Sequence, residues 1–307
     1  LYIKDVPNGA KVLEGPVPDW RKFGMPNYGT GGSMGSILGL PRFDTAEFEA
    51  RFPFGKVSLT DKEMPVRVTV LGWSPFIPGD PDNSSLPVGG LEYVLENTST
   101  KPQEMIFSYH ARNFLSWGKG VDAIKVMPHG FVLSQAGTEA EPHLQGDFAI
   151  FTDEDSPKIN YCWFRGGWFD SLTMVWNAIE SGLMPQSPAV EKGAPGASIF
   201  IPVTLMPGDK KTIRIYTAWY VPCSTLRIGE EPEDWNDNNV APATLALERA
   251  DQGNYKPWYS SRFAGIDEVI DYLLTHYKTL REQTEKFTES FYRSTLPSEV
   301  IEAVSAN

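Results

Sequence analysis

Alternation of apolar and polar residues over roughly the first 220 positions constrains the fold of this 307-residue chain more than any other feature. Val66, Val68 and Val70, for example, alternate with Arg67 and Thr69. A period of two with one polar face is typical of a half-buried antiparallel strand. The same alternation recurs in residues 91–95, 199–205 and 213–219. We count roughly ten to twelve strand candidates separated by Gly- and Pro-containing turns, which predicts a sandwich or barrel.

Two turn signals lie between alternating runs. Residues 97–102 (NTSTKP) precede a return strand at 103–109, which predicts a hairpin with a longer loop. Residues 207–210 (PGDK) stand between the runs 199–205 and 213–219 and repeat the pattern. The fold class that we predict is all-β, a large antiparallel two-sheet β-sandwich.

The hydrophobic period changes near residue 265. Apolar residues recur at helical spacing from Ile266 to Phe291, which predicts a long amphipathic helix that ends before Pro297. A second helix is expected to begin at Ser298. We therefore divide the chain into a sandwich domain, residues 1–264, and a linker helix with the start of a helical domain, residues 265–307. We expect that helical domain to continue beyond this chain.

Charge and composition exclude several functional classes. The net charge is −12 and no Lys/Arg cluster is present, which argues against a nucleic-acid partner. No apolar run of 18 or more residues predicts a transmembrane segment. The four histidines, His110, His129, His143 and His276, lack metal-ligand spacing, so we expect no metal and no cofactor. Sequence alone leaves open whether Cys162 and Cys223 form a disulfide.

Two segments contain candidates for contact with a carbohydrate. Trp163, Trp168 and Asp170 belong to an aromatic stretch, residues 163–170 (WFRGGWFD), whose rings suit the C–H face of a pyranose. His110 and Arg112 end a predicted strand, where polar side chains can face a ligand. The competing interpretation is structural: a core strand followed by a short helix at 163–170, and satisfied polar residues at 110 and 112.

Two acidic segments offer weaker candidates. Residues 153–155 (DED) precede Ser156-Pro157 and indicate an exposed turn rather than a catalytic pair. Residues 79–83 (GDPDN) contain oxygen ligands that suit calcium but lack the twelve-residue loop pattern of a specific calcium site.

Three segments carry a resemblance to a known family. They are residues 40–54 (LPRFDTAEFEARFPF) with 64–68 (MPVRV), residues 73–78 (WSPFIP) with 82–88 (DNSSLPV), and residues 253–263 with 292–297 (YRSTLP). In order and spacing they resemble the N-terminal region of family 116 glycoside hydrolases, the glucosylceramidase-like β-glucosidases. Residues 217–222 (TAWYVP) fit the same region.

The resemblance implies an N-terminal sandwich followed by an (α/α)6 toroid, and retaining hydrolysis of a β-linked glycoside or glycolipid. It places the catalytic carboxylates in the toroid, so no catalytic residue is expected in residues 1–307. The predicted function is an accessory domain of a retaining β-glycosidase, with an apolar patch expected on the exposed face of the long helix or near it. The alternatives are a purely structural module or a stand-alone carbohydrate-binding module that stacks sugars on Trp163, Trp168, Trp235 and Trp258.

Overall fold

The computed structural model describes residues 1–18, 38–116, 122–168, 170–224 and 255–305. Within these ranges twelve strands form two antiparallel sheets. The strands are β1 (Tyr2–Ile3), β2 (Thr45–Arg51), β3 (Phe54–Thr60), β4 (Val66–Trp73), β5 (Val88–Asn97), β6 (Gln103–Arg112), β7 (Asp122–Met127), β8 (Gly130–Gln135), β9 (Gly146–Thr152), β10 (Lys158–Asn160), β11 (Gly196–Leu205) and β12 (Lys210–Tyr220). The helices are α1 (Pro81–Ser84), α2 (Ser171–Glu180), α3 (Tyr259–Arg262), α4 (Ile266–Tyr292) and α5 (Ser298–Ser305). A 3-10 turn spans Pro142–Leu144.

The two sheets confirm the predicted β-sandwich. The small sheet has the order β1-β6-β11-β10, and the large sheet has the order β2-β3-β4-β5-β12-β9-β8-β7. The alternating runs supply the core between them, because every second side chain of a strand points to the same face. Val68 of β4, Leu95 of β5 and Ile213 of β12 meet Phe107 of β6 and Ile201 of β11 in one buried cluster.

The predicted hairpins at residues 97–102 and 207–210 are wrong. β5 and β12 belong to the large sheet, whereas β6 and β11 belong to the small one, so each turn crosses from one sheet to the other. Asn97, which is almost fully buried, joins the two crossings, since its Nδ2 donates to the carbonyl oxygens of Lys101 and Leu205 at 2.8 and 2.9 Å. A period of two identifies the buried face of a strand but not its neighbour.

Helix α4 covers the outer face of the large sheet and makes the molecule three layers deep. Its buried positions follow a helical period and face aromatic and small residues of β9 and β12. Those positions include Ile266, Val269, Ile270, Leu273 and Leu280. Both α4 and α5 begin where the sequence predicts them, at Ile266 and Ser298.

Polar contacts fix α4 along its length. Tyr277 Oη and Arg281 Nε both donate to Glu92 Oε1 on β5, at 2.8 and 2.9 Å. Near the helix end, Thr288 Oγ1 donates to the carbonyl oxygen of Phe52 at 3.1 Å, and the amide of Phe52 donates to Tyr292 Oη at 2.9 Å. The polar face predicted for β5 is therefore covered by the helix at Glu92.

None of the helices in the described ranges has an apolar stretch long enough to cross a membrane.

Candidate functional site

Three of the five predicted carbohydrate contacts line one cavity. His110 and Arg112 of β6 and the side chain of Trp163 border a space of about 570 Å³ between α2, residues 11–14 and the end of β6. We call this space the edge cavity. Its volume lies within the range of small-molecule sites in proteins.

The cavity follows an open edge of the small sheet. The neighbouring strand β1 pairs with β6 only at Met105 and Ile106, so in the described structure the end of β6 has no strand on that side. Ser108, Tyr109 and His110 all line the cavity, although successive side chains of a strand point to opposite faces. The cavity therefore wraps around the strand edge.

A buried chain of hydrogen bonds holds His110. Trp163 Nε1 donates to Ser198 Oγ at 2.8 Å, and this oxygen lies 2.8 Å from His110 Nδ1. On the other side of the ring, His110 Nε2 lies 2.8 Å from Ser108 Oγ. The pairing of β6 with β11 sets this arrangement, because it places Ser198 directly opposite His110.

The protonation state of His110 follows from these contacts. Ser198 is fully buried, and an indole N–H can only donate, so His110 Nδ1 is the one acceptor for the Ser198 hydroxyl among the hydrogen bonds of the described residues. The ring is then the neutral tautomer, with its proton on Nε2 directed at Ser108. Burial lowers the pKa of His110 from 6.5 to about 3, which agrees with a neutral ring.

Asp170 directly precedes helix α2 and does not line the cavity. Its Oδ1 accepts from the amides of Leu172 and Thr173, both at 3.0 Å, and its Oδ2 accepts from Thr173 Oγ1 at 2.6 Å. These hydrogen bonds with Thr173 lower the pKa of the Asp170 carboxyl. The side chain is an N-cap, the position where aspartate satisfies the first amides of a helix.

The two tryptophans of the aromatic stretch lie in different environments. Trp163 is 3% exposed and packs with Val175, Ile179 and Phe200, whereas Trp168 is 95% exposed and lies outside the cavity. Residues 161–168 do not form a strand, whereas the structural interpretation of the sequence expected a core strand in this stretch. Trp258 is partly exposed beside Arg262, and Trp235 lies outside the described residues.

Sequence reasoning missed four further residues of the cavity: Tyr93, Ser108, Tyr109 and Trp176. Ser108 and Tyr109 stand in the same strand as His110, so a strand end rich in hydroxyls is a signal that could have found them. Tyr93 and Trp176 come from β5 and α2, and no local pattern connects these segments with residue 110.

The two acidic segments have structural partners. Asp153 Oδ2 accepts from Arg214 Nη1 and from Tyr216 Oη, each at 3.1 Å, and Glu154 pairs with Lys211 at 2.8 Å. Asp80 caps helix α1 by accepting from the Asn83 amide at 3.0 Å. In the described ranges no cluster of three or more His, Cys, Asp or Glu side chains is arranged to hold a metal, and Cys162 and Cys223 are free thiols.

A comparison with models of protein families shows to which family this chain belongs. The family model described as "beta-glucosidase 2, glycosyl-hydrolase family 116 N-term" matches residues 5–280. The chain belongs to this family. The matched part of this family 116 N-terminal domain includes strands β2 to β12 and the first half of α4.

Other comparisons add little. No curated protein matches the domain. A putative kojibiose phosphorylase from the human microbiome is 11% identical with a TM-score of 0.40, covering 83% of this chain and 26% of the other. A TPR-domain containing protein from Parabacteroides distasonis is 12% identical with a TM-score of 0.26, covering 83% of this chain and 54% of the other. Neither likeness is close enough to inform the fold or the function.

Proposed function

We propose that this domain is the N-terminal accessory part of a retaining β-glycosidase that acts on a β-glucoside or a glucosylceramide-like glycolipid. The observation that carries the proposal is the family match over residues 5–280. The domain would hold the helical catalytic domain in place, with residues 1–264 as the sandwich and residues 265–307 as the connection. In this role it takes part in carbohydrate breakdown without performing the cleavage.

The edge cavity does not contain the groups that glycoside cleavage needs. Hydrolysis of this kind normally uses two carboxyl groups that flank the scissile bond. Of the carboxylates in the described ranges, Glu14 alone lines the cavity, and it forms an ion pair with Arg42.

Helix α4 is well suited to fix a following domain relative to the sandwich. Polar contacts from Tyr277 to Tyr292 attach it to the large sheet and to the β2–β3 hairpin. Its exposed face does not carry the expected apolar patch, because Leu274 is its only large apolar residue that is strongly exposed. Exposed apolar residues follow α4 instead, at Leu296, Val300 and Val304. Val300 and Val304 are four residues apart in α5 and therefore lie on one side of it, where a helical neighbour would cover them.

The tryptophan pattern argues against a stand-alone carbohydrate-binding module that stacks sugars on Trp163. Such a module presents exposed rings on a surface, and Trp163 is buried with its Nε1 bonded to Ser198. Trp168 and, to a smaller extent, Trp258 are exposed candidates that stay open to this alternative.

Hydrolysis of an aryl β-glucoside tests the proposal. We expect no turnover by the 307-residue chain alone, and turnover by the same chain continued into a family 116 helical domain. A matched variant of the longer protein, Leu273→Ala, should lose activity on heating earlier than Leu274→Ala, since only Leu273 lies between α4 and the sheet. Turnover by the short chain that disappears in an Asp170→Ala variant would place catalysis in this domain and contradict the proposal.

A further inference from the structure

Three hydroxyl groups of residues that line the edge cavity keep hydrogen-bonding capacity that the described residues do not use. Among the hydrogen bonds of the described residues, none involves Tyr93 Oη or Tyr109 Oη, and Ser108 Oγ contacts only His110 Nε2. Polar groups in a partly buried cavity normally find a partner in protein, water or a ligand. Three such hydroxyls at one cavity indicate a ligand that can both donate and accept hydrogen bonds.

The hydrogen-bonded chain fixes the direction of one of these groups. Trp163 donates to Ser198, Ser198 donates to His110 Nδ1, and His110 Nε2 donates to Ser108 Oγ. The Ser108 oxygen is therefore already an acceptor within the protein, and its own proton is available to the cavity. Ser108 is thus a pre-oriented donor whose direction is set by a tryptophan on another segment.

The exposed edge of β6 adds main-chain groups. The Lys4 amide donates to the carbonyl oxygen of Glu104 at 2.9 Å, so Glu104 directs its main-chain groups toward β1. Residues two apart in a strand share this direction. Ser108 and His110 consequently direct their main-chain N–H and C=O toward the side where β1 no longer pairs with β6.

The rest of the lining is apolar and aromatic. Leu172, Val175 and Trp176 of α2 form one wall, and Val12 and Leu13 form another. The carboxylate of Glu14 is neutralised by Arg42, and the ammonium of Lys11 by Asp61 at 2.5 Å. Arg112, a third charged side chain of the lining, is exposed to solvent. Aromatic and apolar walls combined with hydroxyls and with paired or solvated charges suit an uncharged ring that carries several hydroxyl groups.

We propose that the edge cavity binds a single neutral sugar ring, with the hydroxyls of Ser108, Tyr93 and Tyr109 as its hydrogen-bonding contacts. Trp176 supplies an aromatic wall. The site does not depend on the proposed accessory function, because it lies wholly within the sandwich and α2.

Titration of the 307-residue chain with D-glucose, D-galactose, D-mannose and D-xylose tests the site, with heat and tryptophan fluorescence as the two readouts. Saturable binding of at least one sugar is expected. Ser108→Ala, Tyr93→Phe and Tyr109→Phe each remove a hydroxyl and little else, and at least two of them should weaken binding by about five- to tenfold, the effect of one lost hydrogen bond.

Two matched variants serve as controls. Tyr161→Phe removes a tyrosine hydroxyl that bonds the carbonyl oxygen of Met127 outside the cavity, and Trp168→Ala removes the exposed tryptophan. Both should bind like the parent chain. Circular dichroism and thermal melting confirm that every variant is folded.

Four outcomes would overturn the proposal. They are the absence of saturable binding to all four sugars, an affinity equal to that of the parent chain in two or more of the three hydroxyl variants, loss of binding in Trp168→Ala alone, and tighter binding of D-glucuronate than of D-glucose. The last two would indicate a surface stacking site and an anion site, respectively. Because no catalysis is measured, the result is independent of the glycosidase assay.

Discussion

His110 shows how a single residue acquires its role from strands that are distant in sequence. Its position at the end of a strand, on the same face as Ser108, is predictable from a period of two. Its hydrogen bond with Ser198 is not predictable in this way, because the pairing of β6 with β11 brings the two residues together. Trp163, which bonds Ser198, belongs to a segment without strand structure. Local sequence therefore predicted a polar strand end but not the hydrogen-bonded chain.

His110 should make folding stability depend on pH. Its folded pKa of about 3 lies below the unfolded value of 6.5, so the unfolded chain takes up the proton first as pH falls. The stabilising contribution of the neutral ring is complete above pH 6.5 and is lost progressively toward pH 3. The slope is at most about 1.4 kcal/mol per pH unit.

Urea unfolding of the parent chain and of His110→Gln between pH 7 and pH 4 measures this dependence. Carboxylates contribute to both profiles, so the difference between the two chains isolates the imidazole. We expect the parent to lose more stability than the variant over this interval. Parallel profiles would show that the ring takes up its proton as readily in the folded chain as in the unfolded chain.

At the scale of elements, helices were easier to predict than strand connections. The boundaries of α4 and α5 follow from a strong 3.6-residue period and from Pro297, which are local signals. The connections at residues 97–102 and 207–210 depend on Asn97, whose amide bonds Leu205 across a separation of 108 positions. No pattern within one segment indicates such a contact.

Two adjacent leucines of α4 provide a sharp test of its packing. Leu273 is 2% exposed against the large sheet, and Leu274, about 100° further around the helix, is 49% exposed. We expect Leu273→Ala to lower the free energy of unfolding by about 2–5 kcal/mol, because it leaves a cavity between helix and sheet. Leu274→Ala should change it by less than about 0.5 kcal/mol.

Chemical denaturation with fluorescence detection compares the two variants under identical conditions. Equal effects of the two substitutions would mean that α4 does not rest on the large sheet through this face.

At the scale of the whole molecule, the large sheet is covered on both sides along its central strands. Its inner face meets the small sheet, and its outer face meets α4 through residues such as Phe151, Tyr216 and Ala218. Sequence predicted the sandwich, the helix and the family, but not that the helix lies on the sandwich. Val88 and Tyr216 alternate with inward-facing neighbours, so an apolar outer face was visible in the sequence without its partner being identifiable.

Removal of residues 265–307 should therefore damage the sandwich rather than release an independent domain. A chain of residues 1–264 would expose the outer face of the large sheet, including Val88 and Phe151. We expect its melting temperature to fall by roughly 10 °C or more and its binding of a hydrophobic dye to rise. An unchanged melting temperature would instead support two independent units divided at residue 264.

The contacts of α4 also restrict insertions and deletions within this helix. Tyr272 Oη bonds Asn83 at 2.7 Å, Arg281 bonds Glu92, and Thr288 bonds Phe52, so partners on three separate segments are matched to fixed positions of one helix. Insertion of one residue near position 275 would turn everything after it by about 100° and advance it by about 1.5 Å. Thr288 and Tyr292 would then leave the β2–β3 hairpin. Surface loops generally tolerate changes in length, whereas we expect α4 between Tyr272 and Tyr292 to keep its number of residues.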